Sequence, residues 1–203
     1  MKISDKIHGS YIFPRRVRVL SEYISKLIPP DAVTLDIGCG DGLISWHLLK
    51  LRPDISITGI DVLVRPESHI PVRIYDGITI PYKDKSVDTI IFVDVLHHTD
   101  NPKKLIIEAG RVSRKTVIIK DHFQDGFLSK QRLKFMDKVG NRRHNVFLPY
   151  NYMKKKEWEE LYKTTNFVPE YIETKLSLYP RAIDWLFGRS LHFIAKLAPL
   201  SYR

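Results

Sequence analysis

The segment that most constrains the fold is Val33–Gly42, which reads VTLDIGCGDG. A short apolar run rich in β-branched residues carries one acid, Asp36, and is followed by glycines at three alternate positions. This pattern predicts a buried strand that enters a tight turn before a helix. Glycine lacks a Cβ and adopts positive φ, so the turn lets a bulky ligand lie against the main chain. A turn without a ligand is disfavoured, because three glycines cost chain entropy and add no packing.

Length and composition predict a single domain over residues 1–203, because the chain has 203 residues, 43% of them hydrophobic. The one cysteine, Cys39, excludes an internal disulfide framework and favours a reducing compartment, so we expect the cytoplasm. Residues 1–10 mix charged and polar groups, which is typical of neither a secretory signal nor a membrane span.

The formal net charge is +10, and the isoelectric point is near 9.6. Such a charge favours nucleic acid, anionic lipid headgroups or an acidic small molecule as the partner. Charge alone does not choose among these three classes.

Strand and helix patterns alternate along the first two thirds of the chain. Strands are predicted at 33–37, 55–60, 72–75, 87–93 and 116–119, and helices at 11–28, 43–51, 102–112 and 154–165. The first helix belongs to a leading segment, residues 1–30. Residues 123–152 mix basic and apolar side chains, which predicts a helix-containing, lid-like insertion.

The end of the chain allows two interpretations after a predicted strand at 171–178. One is a single amphipathic helix over 181–197, and the other is a short helix at 182–187 followed by a strand at 191–197. We favour the second, because a final strand would pair antiparallel with 171–178 and cover an exposed edge. The fold class is therefore α/β, a doubly wound, Rossmann-like sheet of seven mostly parallel strands with an antiparallel last strand and helices on both faces.

Acidic residues fall at the carboxyl ends of the predicted parallel strands, where ligands of doubly wound sheets bind. They are Asp36, Asp61, Asp76, Asp94 and, beside His122, Asp121. Any one of them could be a solvated loop aspartate, but a chance scatter of acids would not keep this register. The sequence therefore predicts a ligand site along this edge.

The glycine spacing discriminates between cofactors. A nicotinamide-binding turn has the pattern G-x-G-x-x-G, whereas position 43 is leucine and the third glycine is Gly42. A P-loop is excluded, because no lysine followed by serine or threonine closes the turn. Asp36 would repel a pyrophosphate and attract a cation.

The motifs DIGCGDG at 36–42, Asp61, Asp76-Gly77 and VDVLHH at 93–98 together resemble those of class I S-adenosylmethionine-dependent methyltransferases. More narrowly, they are similar to the small-molecule and quinone-type branch described as methyltransferase type 11 domain proteins. The resemblance covers roughly residues 33–119. It implies S-adenosyl-L-methionine as the cofactor and S-adenosyl-L-homocysteine as the product.

The resemblance also implies which residues contact the cofactor. Asp61 would accept from both ribose hydroxyls, Val62 would pack on the adenine, and Asp76 would accept from the adenine amino group. The other implied contacts are Asp36, Ile37, Gly38, Cys39, Gly40 and Gly42 at the amino-acid and ribose portion, Gly77 and Ile78 beside the adenine, Val93 and Asp94 near the methionine end, and Tyr11 above the cofactor.

Methyl transfer from a sulfonium is an in-line displacement with a good leaving group, so positioning and exclusion of water supply most of the rate. A base is needed only if the acceptor loses a proton. The candidates by position are His97, His98, Asp121 and His122, since histidine titrates near neutral pH. Alternatively, the two adjacent histidines only make local hydrogen bonds. No metal is predicted.

The sequence lacks the motifs of two classes of methyltransferase, and this excludes their methyl acceptors. Methyltransferases that act on adenine or glutamine amino groups carry an Asn/Asp-Pro-Pro-aromatic motif where this chain has Asp94-Val-Leu-His. Cytosine-C5 chemistry needs a cysteine nucleophile, and the lone Cys39 lies in the cofactor turn. A small-molecule acceptor remains.

The basic and apolar insertion suits an acidic or amphiphilic acceptor of the lipid or quinone type, met at an anionic membrane surface where Trp185 and Phe187 could anchor. A merely solvated basic face is the alternative. Two other functions stay open at this point: RNA methylation, favoured only by charge, and a non-catalytic cofactor-binding module in a larger assembly.

Overall fold

The computed structural model describes residues 12–140, 149–188 and 191–200. Its strands form one seven-stranded sheet in the order β3-β2-β1-β4-β5-β7-β6. The strands are β1 Val33–Ile37, β2 Ser56–Asp61, β3 Val72–Ile74, β4 Val87–Val93, β5 Ser113–His122, β6 Phe167–Glu173 and β7 His192–Pro199. The helices are α1 Phe13–Ser25, α2 Leu43–Leu51, α3 Pro102–Val112, α4 Ser129–Gly140, α5 Lys155–Thr164 and α6 Arg181–Phe187, with a 3₁₀ helix at Leu96–His98.

The predicted fold class is confirmed. Neighbouring strands from β3 to β5 pair in parallel, whereas β7 pairs antiparallel with both β5 and β6. The bounds of β1, α2, β4 and α3 agree with the sequence prediction. The sequence allowed two interpretations of the end of the chain. The structure has the favoured one, a short helix, α6, followed by a strand, β7.

β2, β3 and β7 differ from the prediction by one or two residues at their ends, and two other strands differ more. β5 has ten residues rather than four, because β4 and β7 hydrogen-bond to its two edges and bury its polar end. The strand expected at 171–178 is wrong by about four residues, since β6 spans Phe167–Glu173. The sequence places Pro169 inside β6, and proline is tolerated there because β6 is an edge strand.

Helices cover both faces of the sheet, and alternate residues of the central strands point to opposite faces. On one face, Phe92 of β4 joins the apolar residues of α3 and α5, including Leu105 and Trp158. On the other face, Ile91 joins Leu20 of α1 and the apolar residues of α2. β4 is buried along nearly its whole length, as expected for a central parallel strand.

The carboxyl ends of the parallel strands meet at one edge of the sheet. Ile37 lies opposite Ile60 and Phe92, and Val93 lies opposite Lys120. Because β7 runs antiparallel, its first residue arrives at this same edge. Within the described ranges, no helix combines the length and apolar character needed to cross a bilayer.

Candidate active site

A cavity of about 1010 Å³ opens at the carboxyl edge of the sheet. We divide its wall into two parts. The glycine half surrounds the turn after β1 and contains Gly38, Gly40, Asp61, Val62, Tyr75, Asp76, Gly77 and Ile78. The histidine half contains Arg16, His98, His122, Phe135, Met136, Asp137, Tyr179, Ile183, Phe187 and His192. Val93 and Asp94 lie in the wall as well.

The three glycines of the turn all have positive φ, of 61–74°. A Cβ on Gly40 would meet no atom within 4 Å, so its main chain is open to the cavity. By contrast, a Cβ on Gly42 would lie 2.4 Å from Cγ1 of Ile70. Gly40 therefore allows a ligand to approach, whereas Gly42 allows the turn to pack against its own protein.

Asp36 is buried and accepts a 2.6 Å hydrogen bond from the hydroxyl of Ser45. Burial raises the pKa of Asp36 to about 7, and the Ser45 hydrogen bond offsets part of that shift. Four of the predicted cofactor contacts fall outside the residues that line the cavity: Asp36, Ile37, Cys39 and Gly42. Their direct contact with the cofactor stays a prediction.

Asp61 lies in the cavity wall with its carboxylate oriented by the backbone. Oδ2 accepts from the N–H of Gly40 at 2.8 Å, and Oδ1 accepts from the N–H of Leu63 at 2.9 Å. A carboxylate offers about four acceptor sites, and these bonds use two of them. One further donor per oxygen can therefore bind, which suits a vicinal diol.

The apolar side chains of Val62 and Ile78 lie in the cavity wall together with the carboxylate of Asp76. Oδ1 of Asp76 accepts from the N–H groups of Ile78 and Thr79, both at 2.7 Å, and these bonds lower its pKa. Val62 and Ile78 line the cavity and are 55% and 48% exposed, respectively. A flat aromatic ring placed there would cover both apolar side chains.

Asp94 lies in the cavity wall with φ of 57°, and its carboxylate forms ion pairs with Arg16 and Lys120. These pairs connect α1 to the end of β5. Burial, followed by the nearby charge of Arg16, lowers the pKa of the completely buried Lys120. A cationic ligand at Asp94 would compete with Arg16 and Lys120 for this carboxylate. The contact of Asp94 with the methionine end stays a prediction.

Two of the four candidate bases line the cavity, His98 and His122, whereas His97 and Asp121 lie beneath them. Nδ1 of His97 donates to Oδ1 of Asp121 at 2.7 Å. Asp121 also accepts from the N–H groups of Leu96 at 3.1 Å and His122 at 2.8 Å. Asp121 therefore holds the other groups in place, and it does not face the cavity.

The three histidines differ in protonation. Burial lowers the pKa of His97, but Asp121 and Asp137 outweigh burial and raise it to about 9. Burial and then Lys120 lower the pKa of His122 to about 3. For His98, burial and then His97 lower it to about 4. At neutral pH, His98 and His122 are therefore uncharged and can accept a hydrogen bond or a proton.

Three residues of the histidine half were not predicted from the sequence: Arg16, Asp137 and His192. His192 begins β7 opposite His122, lies 3.2 Å from Nζ of Lys120, and contacts the carbonyl of Phe187 at 3.0 Å. The sequence gives one indication that polar residues gather here: the predicted strand at 116–119 is followed by the charged and polar run KDH at 120–122.

The leading segment and the insertion contribute to the wall through α1 and α4. From α4 come Phe135, Met136, Asp137 and Val139. The predicted contact Tyr11 lies outside the described residues, as do residues 141–148 of the insertion.

Comparison with known proteins shows which family the domain around this cavity belongs to. Residues 35–119 match the model of the methyltransferase domain family, Methyltransf_11. A solved geranyl diphosphate C-methyltransferase from Streptomyces coelicolor, in complex with S-adenosyl-L-homocysteine, superposes with a TM-score of 0.65 at 13% identity, covering 89% of this chain and 75% of that one. Residues 35–119 form a class I S-adenosylmethionine-dependent methyltransferase domain.

Two proteins of known sequence are similar to this chain over different lengths. An uncharacterised protein of Methanocaldococcus jannaschii is 27% identical over 178 residues, 82% of each chain. A tRNA (carboxymethyluridine(34)-5-O)-methyltransferase of Schizosaccharomyces pombe is 30% identical over 100 residues, 47% of this methyltransferase and 42% of that enzyme. The chain therefore spans less than half of the yeast enzyme it matches. Its cofactor is S-adenosyl-L-methionine, and the hypothesis of a non-catalytic module is set aside.

Proposed function

We propose that the enzyme transfers the methyl group of S-adenosyl-L-methionine to a small acceptor with an apolar body and a polar or acidic group. The observation that carries this proposal is the composition of the histidine half. Apolar side chains from α4 and α6, including Phe135 and Ile183, share this half with His98, His122 and Arg16. An amphiphilic acceptor of the lipid or quinone type fits such a mixed wall.

The cavity measures about 1010 Å³, which is at the upper end of the range of about 300–1,000 Å³ for small-molecule sites. In the proposed complex its two halves hold two ligands side by side. The glycine half would hold the nucleoside, with Asp61 on the ribose hydroxyls, Asp76 on the adenine amino group, and Val62 and Ile78 against the ring. The histidine half would then hold the acceptor.

In this arrangement the acceptor atom attacks the methyl group in line with the departing thioether sulfur. The main contribution of the protein is to hold the two ligands at attack distance and to exclude water. His98 and His122 are uncharged at neutral pH and would accept a hydrogen bond from an acceptor that carries a proton. Their lowered pKa values make them weak bases, so they would orient the acceptor more than they remove its proton. Arg16 offers a guanidinium to an acidic group on the acceptor.

A methyl-transfer assay with labelled cofactor tests the acceptor class. The panel comprises phenolic acids, isoprenoid acids and quinone precursors, with unmodified tRNA as the macromolecular alternative. Phe135→Ser should raise the KM for a small acceptor about tenfold or more, because it removes an apolar side chain from the wall. Ile107→Ser, at a half-exposed apolar position on α3 outside the wall, is the matched control. Equal KM values for the two variants would contradict the proposed acceptor half.

tRNA is the second candidate acceptor, and the S. pombe relative and the net charge of +10 favour it. A tRNA substrate predicts binding whose affinity falls steeply with salt, because phosphate contacts release counterions. Filter binding between about 50 and 200 mM salt should then show a loss of about 10³-fold or more for 6 to 10 phosphate contacts. Weak binding without a salt slope would leave the small acceptor as the sole candidate.

Peripheral contact with an anionic membrane stays a proposal, supported by the exposed side chains of Trp185 and Phe127, which are 62% and 85% exposed. Phe187 differs from the expectation of an anchor, since it lines the cavity and stacks on Phe135 with ring centroids 5.7 Å apart. Sedimentation with phosphatidylserine vesicles at low salt tests the contact, and absence of binding would refute it. A cytoplasmic location also stays a prediction.

A further inference from the structure

A cluster of imidazole and carboxylate groups extends from the wall of the histidine half into the protein beneath it, and methyl transfer by positioning leaves all of its members except His98 without a role. The cluster consists of His97, His98, Asp121, Asp137 and Tyr152. Its histidines come from the 3₁₀ helix after β4, Asp121 from β5, and Asp137 from α4. Three separate elements thus bring nitrogen and oxygen donors to one place.

The orientation of His97 is fixed from one side. Its Nδ1–H donates to Asp121 at 2.7 Å, and both residues are at most 1% exposed. Since Asp121 also accepts from two backbone N–H groups, it stays in place as a carboxylate. This carboxylate–imidazole pair leaves the Nε2 atom of His97 directed away from Asp121, as in histidines that ligate metals.

The Nε2 atom of His97 is buried and makes no hydrogen bond within the described part of the chain. It lies 3.3 Å from Oδ2 of Asp137. Nδ1 of His98 is likewise buried without a hydrogen-bond partner there. One donor atom from each of these three residues lies within 4.8 Å of the others. Nδ1 of His98 thus lacks a partner among the described residues, which is costly, whereas Nε2 of His97 has the ion pair with Asp137. A metal ion that displaces the proton of His97 would bind both nitrogens.

The geometry suits a transition metal. Donor atoms around a tetrahedral zinc ion with bonds of 2.0–2.2 Å are about 3.3–3.5 Å apart, which matches the 3.3 Å between His97 Nε2 and Asp137 Oδ2. The donor atom of His98 lies within 4.8 Å of both and would complete the site by moving toward the ion. Two imidazoles with one carboxylate favour Zn²⁺ and similar ions over Mg²⁺ or Ca²⁺, which prefer oxygen donors. The hydroxyl of Tyr152 donates to Asp137 and would orient this ligand.

We propose that His97, His98 and Asp137 form a binding site for a divalent transition-metal ion, tested as Zn²⁺, whose fourth position faces the cavity. His98 and Asp137 line the cavity, so the ion has an entry path and a side open to the acceptor. There it would polarise an oxygen of the acceptor as a Lewis acid. This role rests on the proposed function, whereas the metal site itself does not.

The experiment measures zinc binding to the full chain, purified without a histidine tag and stripped with chelator. Titration calorimetry and metal analysis should show tight binding that depends on this cluster. Asp137→Asn and His98→Gln should each weaken binding about 100-fold or more, since each removes a ligand. Asp121→Asn, a positioning change, should weaken binding about 10- to 100-fold. His69→Gln, at an exposed histidine, should bind as the wild type does.

X-ray absorption of the zinc-loaded protein gives a second measurement, because it should show nitrogen and oxygen neighbours with two imidazoles. Zinc affinity equal in wild type, Asp137→Asn and His98→Gln would overturn the site. His97 would then be a protonated link between two carboxylates. Binding of S-adenosyl-L-homocysteine, measured on the same samples, keeps the two proposals separate: loss of nucleoside binding with zinc binding intact refutes only the proposed function.

Discussion

Replacement of Asp61 by alanine is the most direct test of the glycine half. The carboxylate of Asp61 is held by the N–H groups of Gly40 and Leu63 and faces the cavity. In the proposed complex it accepts one hydrogen bond from each ribose hydroxyl of the cofactor. Asp61→Ala removes both acceptors, and it keeps the main-chain pairing of β2 because that pairing, including Asp61 opposite Ile74 of β3, does not use the side chain.

The expected loss follows from the number of hydrogen bonds. A hydrogen bond to a charged group contributes about 1.5–3 kcal/mol, so two bonds contribute about 3–6 kcal/mol. Since each 1.4 kcal/mol is about a tenfold change, Asp61→Ala should weaken binding of S-adenosyl-L-homocysteine about 10²- to 10⁴-fold. Asp61→Asn retains one acceptor oxygen and should fall between alanine and the wild type.

Titration calorimetry with S-adenosyl-L-homocysteine measures this loss. Glu159→Ala, at an exposed carboxylate on α5, is the matched control and should bind as the wild type does. Thermal unfolding of each variant separates loss of binding from loss of fold, because Asp61 also supports the glycine turn. If Asp61→Ala binds within threefold of the wild type while remaining folded, the assignment of Asp61 to the ribose is wrong.

Four further substitutions test the turn and the core. Gly42→Ala should cost about 1–3 kcal/mol in urea unfolding, because its methyl group would collide with Ile70, whereas Gly40→Ala should cost less stability and weaken nucleoside binding. Asp36 has its pKa raised to about 7, so it takes up a proton on folding between pH 4 and 7. Stability of the wild type relative to Asp36→Asn should therefore fall by up to about 4 kcal/mol as pH rises through that range, measured by urea unfolding. Trp158→Ala should cost about 3–5 kcal/mol in the same assay, because the indole is 1% exposed.

The parallel part of the fold could be predicted because its signals are local. β1 and β4 are short apolar runs that end in turn residues, and the glycines mark where β1 stops. Four element bounds agree with the prediction for this reason. The family resemblance added the cofactor, and the match over residues 35–119 covers the same local motifs.

The last two strands depend on tertiary contacts that periodicity does not show. β6 is mostly exposed or half-buried, so it lacks the alternation of a half-buried strand. The apolar residues Leu176 and Leu178 suggested a strand, but they pack with the α1 and α2 cluster instead. Lys120 ended the predicted β5 because it is charged, although the structure buries it beside Asp94.

The acids of the site could be predicted because they share one position relative to their strands. Arg16, Asp137 and His192 could not, because they come from α1, α4 and β7, which are far apart in the sequence. A single charged residue on a helix forms no pattern, and its place in the cavity follows only from how the helix packs. Most of the lining of the glycine half was thus predictable, whereas in the histidine half the candidates His98 and His122 were predicted and the residues from α1, α4 and β7 were not.

The position of β7 between β5 and β6 determines the order in which the sheet can assemble. β6 precedes β7 in the chain but hydrogen-bonds to the rest of the sheet only through it. The strands from β1 to β5 can pair as soon as residue 122 is present, whereas β6 must wait for a later strand. Until β7 inserts, both edges it will fill remain unpaired, and an unpaired edge is a template for association with another chain. Mutations that weaken β7 should therefore promote aggregation during folding more than their effect on equilibrium stability suggests.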